Sequence, residues 1–99
     1  MVIDFGVPEV EGYSWFDFPK PERSRVEKIE TILVQCKNSG KKLGLEYGRK
    51  DSSPSFLVGY VNFIDFKGKS VNLSTESRIF WSIDLGNFLR IYANKEYLS

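Results

Sequence analysis

The spacing of apolar residues changes once along the chain, from a helical repeat to the alternation typical of β-strands. Before Gly40, apolar side chains recur every three or four residues, at Val26, Ile29, Leu33 and Cys36, as in a helix with one buried face. After Gly40 the period is two, and the helical signal does not return. The sequence therefore predicts one amphipathic helix followed only by strands.

Local signals bound this helix. Pro19 and Pro21 stop any helix that arrives from upstream, although proline is tolerated in a first helical turn. Ser24 followed by Glu27 fits a capping box. Asn38, Ser39 and Gly40 supply the left-handed stop that ends many helices. Cys36 falls on the apolar stripe of the helix, where we expect it to act as a small buried hydrophobe.

Five strand-like segments follow the helix. They are separated by turn-forming residues and cover residues 43–47, 55–65, 71–73, 79–83 and 88–92. The second segment is apolar on both faces, with Leu57, Val61 and Phe63 predicted to share one of them. Gly59 lies between them, which indicates a sharp bend or a β-bulge.

This order of elements predicts a mainly β (α+β) fold. We expect a small five-stranded barrel of the SH3/Sm-like type, preceded by one amphipathic helix, because closing the sheet hides strand edges that a flat sheet would expose. The alternative is an open antiparallel meander packed on the helix.

Charge is segregated along the 99 residues, which are enough for one modest core. Residues 1–18 carry four acidic and no basic side chains, residues 19–50 carry nine basic and four acidic ones, and residues 51–99 carry five of each. The sum, −4 + 5 + 0, is the net charge of +1. We therefore divide the chain into an acidic aromatic arm, residues 1–18, and a single helix-plus-barrel domain, residues 19–99.

The residue types present leave little room for catalysis. The chain has no histidine and a single cysteine, which rules out Ser-His-Asp and Cys-His nucleophiles, Cys/His zinc sites and an internal disulfide. Asp65 and Asp84 could in principle form an acid/base pair or a hard-metal site, but turn chemistry already favours Asp at strand ends. We predict a protein that is not an enzyme and that has no catalytic residues, metal or cofactor.

One segment resembles a known motif. Gly59, Val61, Ile64 and Asp65 have the spacing of the first half of the Sm motif. From residue 27 to residue 92 the chain also resembles the YolD-like family, small bacterial and phage proteins of Sm-like type; residues 46–47, 59–65 and 83–91 carry the likeness. The resemblance implies an Sm-like fold and a non-enzymatic accessory role linked to DNA-damage tolerance.

Two positions depart from that pattern. Lys69 stands where RNA-binding Sm proteins have the Asn that contacts the base, and Arg90 is followed by Ile91 rather than by Gly. The Sm mode of reading bases is therefore not implied, nor is the ring assembly that accompanies it.

The acidic aromatic arm is the first candidate for binding a partner. In it, carboxylates alternate with large aromatic side chains, which suits docking onto a basic and partly apolar protein surface. The predicted partner-binding residues are Glu9, Glu11, Tyr13, Trp15, Phe16 and Asp17. In the alternative, Trp15, Phe16 and Phe18 fold back onto the barrel and complete its core.

A second candidate is a basic rim that contacts nucleic-acid phosphates. Its residues all lie in or beside predicted turns: Lys41, Lys42, Arg49, Lys50, Lys67 and Lys69. Such a rim requires that two of these turns meet at one end of the barrel.

Compartment and role follow from the same sequence. The first residues do not contain a basic segment followed by an apolar run, so we expect no signal peptide. The sequence contains no run of eighteen apolar residues, so we expect no membrane span. We predict a protein of the bacterial cytoplasm, a monomer or dimer, encoded by a phage or other mobile element and acting as an adaptor or inhibitor of another protein. The alternative is an Sm-like nucleic-acid-binding accessory protein.

Overall fold

The helix ends just before Gly40 and strands follow it, as the apolar spacing predicts. The computed structural model describes residues 10–18, 25–48 and 53–98. Its elements are β1 (Tyr13–Asp17), α1 (Arg25–Ser39), β2 (Leu43–Tyr47), β3 (Ser55–Asp65), β4 (Ser70–Ser74), β5 (Phe80–Asp84) and β6 (Phe88–Asn94), with 3-10 turns at Leu85–Asn87 and Lys95–Leu98. Gly40 ends α1 with a φ of +68°, as expected of a left-handed stop. The predicted capping box at Ser24 lies outside the described residues.

The described residues form a mainly β fold with one helix, as predicted, but their sheet has six strands rather than five. The strand order is β1-β6-β2-β3-β4-β5, and every neighbouring pair is antiparallel. The sixth strand is β1, which belongs to the acidic aromatic arm and pairs with β6. Within residues 10–18, 25–48 and 53–98 the sheet is open, with β1 and β5 at its edges, so the predicted closed five-stranded barrel is not observed. It is not a simple meander either, because β6 returns to lie beside β2.

The core lies between α1 and the inner face of the curled sheet. Buried side chains of α1 meet buried side chains of five strands and of the 3-10 turn before β6. The fully buried members include Ile29, Ile32, Leu33, Cys36, Leu43, Leu45, Leu73, Leu85, Phe88 and Ile91. Cys36 is thus the buried hydrophobe that the sequence predicts, and burial raises its pKa to about 12.

Gly59 and the residues after it explain how β3 pairs with β2 along its first half and with β4 along its second half. A Cβ at Gly59 would lie 2.5 Å from the carbonyl oxygen of Ser74, so glycine permits the close approach of β4. The register shifts between Val61 and Phe63, three residues beyond the predicted bend. After this bulge each side chain lies on the opposite face of the sheet from the one expected, because one residue is added to an alternation with a period of two. Ile64 is therefore buried and Phe63 is 60% exposed, so the prediction that Phe63 shares a face with Leu57 and Val61 is wrong.

A buried arginine fixes α1 to the rest of the chain. Arg25 donates hydrogen bonds to the backbone carbonyl oxygens of Phe18 (3.0 Å), Leu85 (3.2 Å) and Phe88, and a long one to Gly86 (3.4 Å). Burial lowers the pKa of this guanidinium. Because its acceptors belong to the end of the arm, the 3-10 turn and β6, Arg25 ties all three to the start of the helix.

Candidate functional site

Two aromatic side chains of the arm, Tyr13 and Trp15, pack on the outer face of the sheet, the face opposite α1. The ring of Trp15 lies 5.1 Å from the ring of Tyr92 and 5.8 Å from that of Phe56, measured between centroids. Tyr13 lies 5.3 Å from Tyr92. We call Tyr13, Trp15, Phe56 and Tyr92 the aromatic layer. It buries Tyr92, although this residue lies on the outer face.

Glycine and two charged residues complete this packing. A Cβ at Gly44 would lie 2.8 Å from the Phe56 ring, so only glycine lets that ring lie across β2. The Arg90 guanidinium lies 4.2 Å from the centre of the Trp15 ring, which is the geometry of a cation–π contact. Glu46 accepts hydrogen bonds from Arg90 at 2.9 and 2.5 Å and neutralises it. Trp15 is therefore contacted by Phe56, Tyr92 and Arg90 of its own chain.

Two tyrosine hydroxyls anchor the arm through backbone groups. The Tyr13 hydroxyl donates to the carbonyl oxygen of Lys42 (2.7 Å), and the Tyr92 hydroxyl accepts from the N–H of Val10 (2.9 Å). Burial raises the pKa of Tyr13, so the neutral hydroxyl that makes the first of these bonds is favoured.

The predicted partner-binding residues of the arm fall into different environments. Phe16 faces inward and packs against the core, and Phe18 is buried in it. Glu11 and Asp17 are exposed, Tyr13 and Trp15 belong to the aromatic layer, and Glu9 lies outside the described residues. The aromatic side chains are thus engaged by the protein itself, and the exposed groups of the arm are carboxylates.

The basic residues of the alternative nucleic-acid site lie in two places. Lys41 and Lys42 lie just before β2, whereas Lys67 and Lys69 lie in the turn after β3. Because the start of β2 pairs with the middle of β3, roughly 20 Å of strand separates the two pairs. The Lys42 ammonium also lies 3.7 Å from a Glu76 carboxylate oxygen. Arg49 and Lys50 lie outside the described residues.

The two aspartates considered for acid/base chemistry lie two strands apart. Asp65 and Asp84 both pair with Ser70, from opposite sides, which puts their backbones roughly 10 Å apart. Asp65 accepts a hydrogen bond from the N–H of Gly68 (2.8 Å), so it closes the turn. In the part of the chain that the structure describes, no group of His, Cys, Asp and Glu could hold a metal ion.

Among the described residues the most exposed large apolar side chain is that of Phe80. It belongs to β5, a strand that contains none of the partner-binding residues predicted from the sequence. β5 pairs with β4, and within residues 10–18, 25–48 and 53–98 no strand pairs with its other side. Hydrogen bonds from Thr75 N–H to the Ile79 carbonyl (3.0 Å) and from Leu85 N–H to the Lys69 carbonyl (2.9 Å) flank this pairing. They show that odd-numbered residues of β5 direct their backbone groups at β4, because these directions alternate along an antiparallel strand.

The even-numbered residues of β5 therefore direct their backbone N–H and C=O groups away from the sheet. These residues are Phe80, Ser82 and Asp84. Beside them, the side chains of Ile79, Phe80 and Trp81 are 53%, 66% and 43% exposed. We call residues 79–84 the β5 edge. The sequence signal for it is the run Ile79-Phe80-Trp81, which carries neither the Lys nor the Pro that commonly protects edge strands.

A cleft of about 390 Å³ lies beside the β5 edge, where the sheet stays open between β5 and the ends of β2 and β3. Trp81 pairs with the core residue Leu73, so its side chain points to the inner side of the sheet. There it lines the cleft together with Tyr47, Ile83 and Asn87. The cleft thus offers two aromatic surfaces beside a strand with free backbone groups.

Comparisons with protein-family models, with curated proteins and with solved structures found no match for this chain. In the described residues, α1 and the other helical turns are too short or too polar to cross a membrane. The geometry of the site is therefore the basis for the functional proposal.

Proposed function

We propose that this protein is a non-enzymatic, cytoplasmic protein-binding module, an adaptor or inhibitor, that adds an extended segment of its partner to β5. The observation that carries the proposal is the β5 edge. Its outward backbone groups at Phe80, Ser82 and Asp84 lie beside exposed aromatic side chains and an open cleft. An edge strand without Lys, Pro or a bulge is a template for another strand.

Strand addition accounts for both the backbone and the side chains at this site. Main-chain hydrogen bonds to Phe80, Ser82 and Asp84 would supply affinity, whereas alternate side chains of the added segment would supply specificity. One set of them points to the inner side of the sheet, towards Trp81 and Tyr47 in the cleft. We therefore expect the bound segment to carry a large apolar residue for the cleft.

The arm has a supporting role in this proposal. Strand β1 pairs with β6 along the edge that β2 leaves free, and Tyr13 and Trp15 of β1 belong to the aromatic layer. Of the two edge strands of the described sheet, β5 is therefore the one with exposed apolar side chains. The exposed carboxylates of Glu11 and Asp17 remain available to steer a basic partner.

The order of strands β2 to β6 supports the proposed kinship with Sm-like barrels. In the order β6-β2-β3-β4-β5 the last strand returns to the first one after the helix, as closing a barrel requires. We propose that this part of the chain is a small barrel left open between its two end strands, β5 and β6. The separation of Lys41 and Lys42 from Lys67 and Lys69 makes nucleic-acid binding the weaker candidate.

Proline at position 82 tests strand addition. The Ser82 N–H points away from β4, so Ser82→Pro removes a donor of the free edge while keeping the β4–β5 hydrogen bonds. Short peptides selected from a random displayed library for binding to the wild-type protein provide the probe, and fluorescence anisotropy gives their affinity. We expect Ser82→Pro to weaken the selected peptides by about tenfold or more, because the loss of one hydrogen bond adds to a steric block.

The matched control is Ser82→Ala, which keeps the N–H and should bind as the wild type does. Circular dichroism and urea unfolding establish that both variants keep the fold. Peptides that bind equally well to wild type and Ser82→Pro would contradict strand addition at β5. Binding of single-stranded DNA or RNA at low salt, lost steeply as salt rises, would favour the nucleic-acid alternative instead.

A further inference from the structure

Opposite charges mark the two ends of the β5 edge. Arg78 precedes the strand by two residues, with a φ of +62° that turns the chain into it, and Asp84 is its last residue. Within the described residues neither side chain forms an ion pair. A strand that fits this edge should therefore carry a carboxylate at one end, beside Arg78, and a cation at the other, beside Asp84.

The β5 segment itself meets these requirements when it runs antiparallel to a second copy. With Trp81 opposite Trp81 of the second copy, Phe80 faces Ser82, Ile79 faces Ile83 and Arg78 faces Asp84, each of the last three pairings occurring twice. Phe80 and Ser82 both direct their N–H and C=O groups outward, so they can exchange hydrogen bonds in this register. Apolar residues then meet apolar residues on the inner side, and opposite charges meet at both ends.

We propose that the β5 edge pairs with the β5 edge of a second copy of this chain, forming a two-fold symmetric dimer with one continuous sheet. The inference rests on the proposed function, because it names the occupant of the same edge. A two-fold axis through Trp81 makes the interface self-complementary, and each copy supplies the charged ends that the other needs.

The other edge strand is a poor occupant for β5. Running antiparallel, β1 of a second copy would put Asp17 beside Arg78 but Glu11 beside Asp84; running parallel, it would put Asp17 near Asp84. Asp84 meets a carboxylate in both of these registers, and in no register does it meet a cation of the arm, because residues 1–18 contain no Lys or Arg. Like charges placed opposite each other disfavour such pairing. Charge therefore selects β5 with β5.

Charge reversal tests the dimer without altering the core. Sedimentation velocity from about 1 to 300 μM should show the wild type passing from monomer to dimer, the range in which weak specific interfaces act. Arg78→Asp leaves only acidic groups at the two ends and Asp84→Arg leaves only basic ones. Each variant alone should dimerise about tenfold or more weakly, and a one-to-one mixture of the two should regain dimers, because each ion pair is restored.

Two further variants separate this inference from the proposed function. Ser82→Pro should abolish the dimer and Ser82→Ala should keep it, with urea unfolding as the check on folding. A wild type that stays monomeric at 300 μM, or a mixture of charge variants that stays monomeric, would overturn the dimer. If peptides selected as above still bind in a Ser82-dependent way, only the dimer fails; if Ser82→Pro changes neither peptide binding nor sedimentation, both proposals fail.

Discussion

The two edge strands of the sheet have almost the same composition and opposite surroundings. β1 reads Tyr-Ser-Trp-Phe-Asp and β5 reads Phe-Trp-Ser-Ile-Asp. The first four residues of β1 are half-buried, whereas four of the five residues of β5 are exposed. Composition alone therefore does not decide which edge strand is left exposed.

The neighbouring strands explain the difference. Beside β1, the outer face offers the rings of Phe56 and Tyr92 to Trp15, because Gly44 leaves room for them. Beside β5, strand β4 presents the short polar side chains of Ser70, Asn72 and Ser74 on that face. Phe80, the large residue of β5 on that face, therefore lies beside Ser74 and has no side chain of comparable size on β4 to cover it. The covered edge stabilises the fold, and the uncovered edge is the one we propose for binding.

The largest effect that would test this contrast comes from two arginines, one buried beside the arm and one at the β5 edge. Arg25→Met removes the donors of four backbone carbonyls and should lower the free energy of unfolding by about 3 kcal/mol, since buried acceptors are left without partners. Arg78→Met should change it by less than about 0.5 kcal/mol. Urea unfolding measures both, and equal losses would show that the two regions are alike.

The two tryptophans give a smaller, matched comparison. Trp15→Ala should lower the free energy of unfolding by about 2 kcal/mol, because it removes a half-buried ring together with its cation–π contact to Arg90. Trp81→Ala should cost less than about 1 kcal/mol but should weaken binding at the β5 edge, since truncating exposed aromatic anchors affects partners most. Thermal or urea unfolding of the two variants, set against peptide affinity, decides this. A Trp81→Ala variant as destabilised as Trp15→Ala would contradict the contrast.

The prediction with the smallest effect near neutral pH is a dependence of stability on alkaline pH. Burial raises the pKa of Cys36 from its ordinary value of 9.0 to about 12, so the folded state holds this proton more tightly than the unfolded state does. Its contribution is therefore complete below pH 9 and is lost as the pH rises towards 12, by about 1.4 kcal/mol per pH unit. Tyr13, whose pKa is also raised by burial, adds to the loss in the same direction.

Cysteine-free protein provides the control for this prediction. Urea unfolding of the wild type and of Cys36→Ala at a series of pH values from 8 upward measures the slope, and the variant should show the shallower one. Parallel slopes would mean that the Cys36 thiol is not protected by the core.

Local periodicity accounts for what the sequence predicts well. The helix and the five strands after it follow from patterns within each segment, such as Ile29, Leu33 and Cys36 on one face of α1. The buried role of Cys36 follows from the same spacing, because the apolar stripe of a lone helix must face the sheet.

Local sequence patterns do not predict features that depend on residues far away along the chain. The pairing of β1 with β6 is set by strand β6, about eighty residues further on, and the exposure of Phe63 is set by one extra residue in β3. The β5 edge escapes for a related reason: Trp81 has a strand pattern like that of Leu73, and only the missing neighbour on its far side leaves it exposed.

Residue-resolved amide hydrogen exchange in the monomeric Arg78→Asp variant shows whether the outward N–H groups of β5 are free. We expect alternation along β5: the N–H groups of Trp81 and Ile83 are protected by β4, whereas those of Phe80 and Ser82 exchange rapidly and become protected when Asp84→Arg protein is added. In β6, which has a strand on each side, consecutive amides such as Ile91 and Tyr92 should both be protected. Uniform protection along β5 in the monomer would contradict strand addition at this edge, because it would mean that the edge is already covered.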